Sequence, residues 1–169
     1  IESKKPLLWC HLRADLHISG LIRHGLAPER LVLIRAGTEA ELLWAMEEGL
    51  KCRALAAVVG EMERLPLTAS RRLQLAAEVA GITAFAVRRP LRQALSDGAA
   101  QPTAAMTRWR IAALPSALGD EPGIGRSLWL VELLRCRGGA PGRWRLQACD
   151  PEGRLQALPE TASDARRIA

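Results

Sequence analysis

The stretch LVLIRAGTEAELLWAMEEGLKCRALAAVV, residues 31–59, decides the reading of the fold. It opens on a short apolar run, Leu31-Val32-Leu33-Ile34, rich in β-branched residues and therefore strand-like. Thr38 then stands where a helix cap belongs, and Glu41, three residues on, completes a capping box. Leu42, Leu43, Ala45, Met46 and Leu50 recur at helical spacing, with Glu47 and Glu48 turned outward. Met46 and Trp44 read as core or rim packing rather than as cofactor contacts. A second apolar run, Ala54 to Val59, lacks alternation, which suits a strand covered on both faces. Strand, helix and buried strand in this order point to a parallel sheet.

The pattern continues on both sides. Upstream, Leu7-Leu8-Trp9-Cys10 is another apolar run. Leu16 to His24 reads as a helix stopped by Gly25, with Pro28 beyond it. Downstream, Thr68 or Ser70 opens a helix through Leu73, Ala76, Ala77 and Ala80, and Gly81 fits its C-cap. Ile82 to Val87 is the fourth run. Four runs separated by helices predict a parallel sheet with right-handed crossovers. Residues 90–106, with Pro90, Ser96, Gly98, Pro102 and several alanines, read as a loop or weak helix. Three β-like stretches follow at 107–114, 127–137 and 143–149. The turn chemistry of Gly-Gly-Ala-Pro-Gly at 138–142 folds the last two into an antiparallel hairpin on one end of the sheet. The expected organisation is one α/β domain over 1–150, alternating over 1–90 and antiparallel over 107–149, with a flexible tail at 151–169.

Composition fits a globular chain. Of 169 residues, 49% are hydrophobic and 25% charged, and the mean hydropathy of +0.00 argues against wholesale disorder. No apolar run approaches the roughly 18–20 residues of a membrane helix, and no secretory leader is expected. The first residue is Ile1, so the chain is expected to be a fragment. The net charge is +6, and all but Lys4, Lys5 and Lys51 of the 24 cations are arginines. That excess favours acidic partners, nucleic acid included, and equally fits an ordinary basic domain. Cys10, Cys52, Cys136 and Cys149 have no metal-knuckle spacing, so reduced thiols are expected, with Cys10 and Cys149 packed as small hydrophobes.

The signs of catalysis are weak. A phosphate-binding loop of the form G-x-x-x-x-G-K-[ST] is missing, and Gly123-Ile124-Gly125-Arg126-Ser127 reads as a turn. The run Val58-Val59-Gly60-Glu61 ends where a nucleotide-hydrolysing strand would carry a magnesium-holding Asp; Gly60 stands there instead. Glu61 is either a metal ligand or, the preferred reading, a solvated loop acid. His11, His17 and His24 match no zinc or triad motif, although His17 and His24 would share a helix face with Asp15 nearby. No metal and no cofactor are predicted.

Arg108-Trp109-Arg110 and Arg143-Trp144-Arg145 repeat one pattern. Residues two apart on a strand share a face, so Arg108 and Arg110 project together, opposite Trp109 and Ile111. Arg143 and Arg145 likewise stand opposite Trp144 and Leu146. In the middle strand Trp129, Val131 and Leu133 line one face, and Arg135 and Arg137 extend that row. Seven arginines face three acids between 104 and 149. Two readings stand: an arginine surface for phosphate or an acidic partner, or the ordinary wet face of an antiparallel sheet. In both, the alternation buries the tryptophans, so base stacking on them is not expected.

The segments LLWAMEEGLKCRALAAVVGEMERLPLTASRRLQLAAEVAGITAFAVRRP at 42–90, TRWRIAALPSA at 107–117 and WLVELLRCRGGAPGRWRLQ at 129–147 resemble the ImuA family of RecA-like mutasome proteins, over roughly residues 5–149. The resemblance implies a RecA-like α/β core, a mainly parallel sheet flanked by helices with the antiparallel extension at its C-terminal end. It also implies a cytoplasmic, SOS-induced protein of error-prone translesion synthesis. Its partners would be an inactive Y-family-like polymerase and an error-prone replicative-type polymerase, with RecA and DNA as further candidates. On that template the catalytic Glu of recombinases falls near Arg13 and the hydrolytic Asp at Gly60. The phosphate-loop unit would lie upstream of Leu7. The expected role is therefore binding without turnover, through Arg108, Arg110, Arg135, Arg137, Arg143, Arg145 and the tail. The alternatives are a DNA-dependent ATPase and a regulator of the RecA filament or of a cell-division protein.

Overall fold

The computed structural model describes residues 4–22, 24–89, 102–116, 125–148 and 154–159. Where one domain over 1–150 is expected, the chain groups into two compact units. One comprises Ile1–Ile22 and Leu26–Ala105, the other Arg23–Gly25 and Met106–Ala169.

The first unit is built on a four-stranded parallel sheet. Its strands are β1 (Leu7–His11), β2 (Leu31–Arg35), β3 (Ala57–Met62) and β4 (Thr83–Arg88), in the order β2-β1-β3-β4. The predicted apolar runs are all strands. The third lies three residues later than expected, at both ends, so Gly60 is inside the strand. All six residues of β3 are buried, as the lack of alternation requires.

Helix α2 (Glu39–Lys51) begins as predicted. The Thr38 hydroxyl accepts from the Glu41 N–H at 3.2 Å, and the Glu41 carboxylate reaches back to the Gly37 N–H at 2.8 Å. Its stripe of Leu42, Ala45, Met46 and Leu50 is buried, while Trp44 is exposed. Helix α3 (Leu67–Ala80) starts after Pro66, earlier than Thr68 or Ser70 would have it. Ser70 is buried instead. Its hydroxyl donates to the Leu67 carbonyl and accepts the Ala104 N–H, both at 2.9 Å, which pins the segment after 102 to this unit. Gly81 closes α3 in the left-handed conformation, as expected.

The core lies between these helices and one face of the sheet: Leu8, Cys10, Val58 and Met62 meet Leu42, Met46, Leu50 and Leu73. Burial pushes the Cys10 thiol up to about 11, so it packs as an inert hydrophobe. Leu7, Ala57 and Val59, with Trp9 and Leu31, form a smaller cluster. The helix expected over Leu16 to His24 is only α1 (Ile18–Ile22), so His17 and His24 flank it rather than share its face.

The second unit is a separate antiparallel sheet and not an extension of the first. Its strands are β5 (Thr107–Leu114), β6 (Leu128–Cys136), β7 (Gly142–Gln147) and β8 (Gln156–Leu158), in sequence order. The hairpin of β6 and β7 forms as predicted. The supposed flexible tail contributes β8, which pairs with β7 through Leu146 and Ala157. The readings of 90–101 and of Cys149 fall outside the described residues. Among those residues no helix is long and apolar enough to cross a membrane.

Candidate functional site

Two places carry polar chemistry. The first is the C-terminal end of the parallel strands, where ligands of open α/β sheets bind. Here Glu61 of β3 is only 8% exposed, which overturns its reading as a solvated loop acid. Its two oxygens are both engaged: the Trp9 indole N–H donates to Oε1 at 2.9 Å and Arg89 donates to Oε2 at 2.6 Å. Arg89 also grips both oxygens of Asp15 at 2.9 Å. That hydrogen bond, aided by the attraction of Arg89 and Arg13, holds the Asp15 carboxyl below its ordinary range. The two carboxylates, Glu61 first, raise the pKa of Arg89. Arg13 pairs with Glu63 at 2.5 Å. Buried His11 donates through Nδ1 to the Arg13 carbonyl at 2.7 Å. Gly60 faces Met46, whose sulfur would lie 2.1 Å from a Cβ added there. A longer side chain at this position would displace the core methionine.

These residues form a closed set of internal pairs. Among the described residues no group of three or more His, Cys, Asp or Glu is arranged to hold a metal.

The second place is the antiparallel sheet. Arg108 and Arg110 lie on β5, Arg143 and Arg145 on β7, and Glu132 of β6 stands between Arg110 and Arg143 in the register. Arg110 pairs with Glu132 at 2.5 Å. That hydrogen bond, with the attraction of Arg110 and Arg143, holds the Glu132 carboxyl below its ordinary value against the opposing effect of burial.

Arg135 does not extend the row of Trp129, Val131 and Leu133. A bulge between Arg108 and Trp109 leaves Leu134 without a cross-strand partner and sets Arg135 opposite Arg108. One extra residue flips the alternation, and Arg135 joins the face of Arg108 and Arg110. The period-two reading carried no signal for the bulge. Five of the six predicted arginines thus share a face. Arg137 lies beyond β6, its N–H on the Met106 carbonyl at 2.9 Å and its guanidinium 3.7 Å from the Met106 sulfur.

The tryptophans are not buried. Trp109 is 50% and Trp144 41% exposed, and Ile111 on the same face is 67% exposed. The Trp144 ring folds over Gly142, which faces Leu133, which in turn faces Trp109. This chain of neighbours brings the two indoles to 5.9 Å, tilted by 38°. On β6, Trp129 packs near the His24 ring at 6.0 Å.

The sequence aligns with Protein ImuA from two strains of Caulobacter vibrioides, 45% identical over 148 residues in each case. The match covers 84% of this chain and 60% of each relative. This chain is a homologue of ImuA. It spans about 60% of the length of the relatives it matches. No protein-family model matches it. Among solved structures, that of SulA from Pseudomonas aeruginosa is similar to 52% of this chain and 74% of its own, at 28% identity and a TM-score of 0.45. The sequence resemblance to the ImuA family is thereby borne out. The structure supports the α/β class with a parallel sheet and a separate antiparallel sheet.

Proposed function

We propose that this ImuA homologue is an accessory protein of SOS mutagenesis that acts in the cytoplasm in error-prone translesion DNA synthesis. Its parallel sheet is the remnant of a RecA-like core, and it works by binding rather than by turnover. The partner is the inactive Y-family-like polymerase, which links it to an error-prone replicative-type polymerase. Homology to ImuA supports the setting. The observation that carries the binding role is the arginine face of the second sheet, where Arg110 and Arg143 flank Glu132 and Arg108, Arg135 and Arg145 share its face. Such a face offers forked donors to carboxylates or phosphates. The internal pairing of Glu61, Arg89 and Asp15 at the strand ends supports the lack of turnover, since these groups already neutralise one another.

Pull-down of the polymerase-like partner by R143E/R145E tests the reading. The expected result is loss of the complex with native thermal stability retained. An unchanged complex rejects the arginine face as the docking surface. Titration with Mg²⁺–ATP tests the absence of turnover: tight binding with hydrolysis would favour the ATPase alternative.

A further inference from the structure

The face of the antiparallel sheet that holds Trp109 consists, across the strands, of three rows. They are Trp109–Leu133–Gly142, Ile111–Val131–Trp144 and Ala113–Trp129–Leu146–Ala157. No side chain in these rows carries a charge or a hydrogen-bond acceptor, and none of the residues is buried. The His24 ring stands at one corner, 6.0 Å from Trp129. An antiparallel sheet ordinarily packs its apolar face on a core and wets the other. Here the apolar face is the open one, while Leu128, on the arginine face, is buried.

The two exposed indoles differ at their polar ends. Trp109 donates through Nε1 to the Thr107 hydroxyl at 3.2 Å, whereas the Trp144 N–H has no acceptor among the described residues. Water meets that N–H while the face is open. Whatever covers the face must bring an acceptor in its place, or a buried donor is left unpaired.

We propose that this face docks one amphipathic helix of a protein partner, through an uncharged apolar stripe that carries a single neutral acceptor for the Trp144 N–H. The inference lies beyond the accessory reading, which uses the opposite face of the sheet. A sheet face has its own N–H and C=O groups engaged in the ladder, so recognition falls to side chains, and a helix offers them at i, i+3, i+4 and i+7. From β5 to β8 the face spans about 14 Å, and its rows extend about as far along the strands. About ten residues of helix cover that length, and a helix about 10 Å wide leaves no room for a second. A charge in the buried stripe would find no counter-charge in the three rows, so the stripe is neutral.

Three other occupants fit less well. A second copy placed face to face brings no acceptor to Trp144, because the rows contain none. Its footprint, on the order of a few hundred Å², also falls short of the roughly 800 Å² per partner of a stable interface. Single-stranded nucleic acid stacks on exposed indoles but needs cations beside them, and an anionic lipid surface is likewise held by cations. The clustered arginines lie on the opposite face.

The test uses the full chain and a synthetic helical peptide with leucines at i, i+4 and i+7 and a glutamine at i+3. Its other positions are lysine and glutamine, so it holds no acid for the arginine face. One control is a scramble of the same composition, and another has leucine for the i+3 glutamine. Binding is read from NMR shifts of the Trp109 and Trp144 indole N–H signals, assigned with Trp109→Phe and Trp144→Phe. The striped peptide should shift both signals and the scramble neither. Loss of the i+3 glutamine should weaken binding to the native chain at least about fivefold and leave binding to Trp144→Phe within about twofold. Ile111→Asp should abolish binding, while Val79→Asp, the same kind of change at an exposed apolar residue of α3, should not. Unchanged amide-exchange protection in β6 shows that Ile111→Asp folds. R143E/R145E should bind the peptide as the native chain does. The proposal is overturned by no shift with the striped peptide, by equal binding of the scramble, by binding that survives Ile111→Asp or is lost in R143E/R145E, or by indifference to the glutamine. It is equally overturned if the same two signals shift, without the peptide, on raising the protein concentration or on adding oligodeoxythymidine or phosphatidylcholine vesicles.

Discussion

The two sheets of this chain treat the same residue types in opposite ways. In the parallel sheet, β3 is buried along its whole length and the charges at its end are locked to one another. In the antiparallel sheet, no strand is buried throughout, and tryptophan and arginine alike reach solvent. Helices α2 and α3 make the difference for the first sheet: they cover one face of it and bury the apolar groups of its central strands β1 and β3, while β2 and β4 at its edges stay largely exposed. The lesson is that a site cannot be ranked by residue type. Glu61, in a position that invites a metal, is spent on Trp9 and Arg89, while Trp109, in a position that suggests core, stands half in water.

That contrast can be broken most sharply at Gly60. Gly60→Asp places an acid within the buried strand, and it should destabilise the chain by about 4 kcal/mol, because it forces a charge against buried Met46. Urea unfolding measures this, and a near-neutral variant would show that the strand end has room for a metal-holding acid. Next in size is a matched pair of truncations. Leu42→Ala, fully buried, should cost about 3 kcal/mol. Ile111→Ala, 67% exposed, should stay within about 0.5 kcal/mol. Similar costs at both sites would mean that the second sheet is covered in solution.

A double-mutant cycle over Trp109→Ala and Trp144→Ala should give a coupling of about 1 kcal/mol, as expected for two indoles in contact. Additive effects would dissolve the aromatic pair. The smallest effect concerns pH. The Glu132 carboxyl is lowered in the folded state by Arg110, so its contribution is fully present above the unfolded value of about 4.3 and is lost as pH falls through the folded value. Because Arg110 is half exposed, the loss should be under about 1 kcal/mol. Glu132→Gln should remove this component of the acid dependence, as read from unfolding curves between pH 6 and about 2.

Much of the first unit is legible along the chain. Apolar runs without alternation mark β1 and β3. The Thr38–Glu41 box marks the start of α2, and Gly81 marks the end of α3, because each rests on local hydrogen bonding or local backbone conformation. The start of α3 is not legible. Pro66 lacks a capping side chain, and Ser70, the residue that looks like a cap, is drawn inward by the Ala104 N–H, 34 residues away. Of the arginine surface, the partnership of 108 with 110 and of 143 with 145 follows from period two alone. The place of Arg135 does not, since a bulge depends on how two strands meet and not on either one.

Sequence by itself determined the order of strands and helices, the parallel and antiparallel halves, and which neighbours on a strand share a side. Those follow from the periodicity of side chains along a backbone, a property each segment carries alone. Only the tertiary structure decided that the antiparallel strands form a sheet of their own, that Glu61 is neutralised by Arg89, and that Trp109 and Trp144 meet in the open. Each of these depends on which distant segment comes to lie against a surface, and an alternating pattern is the same whether or not its apolar side acquires a cover.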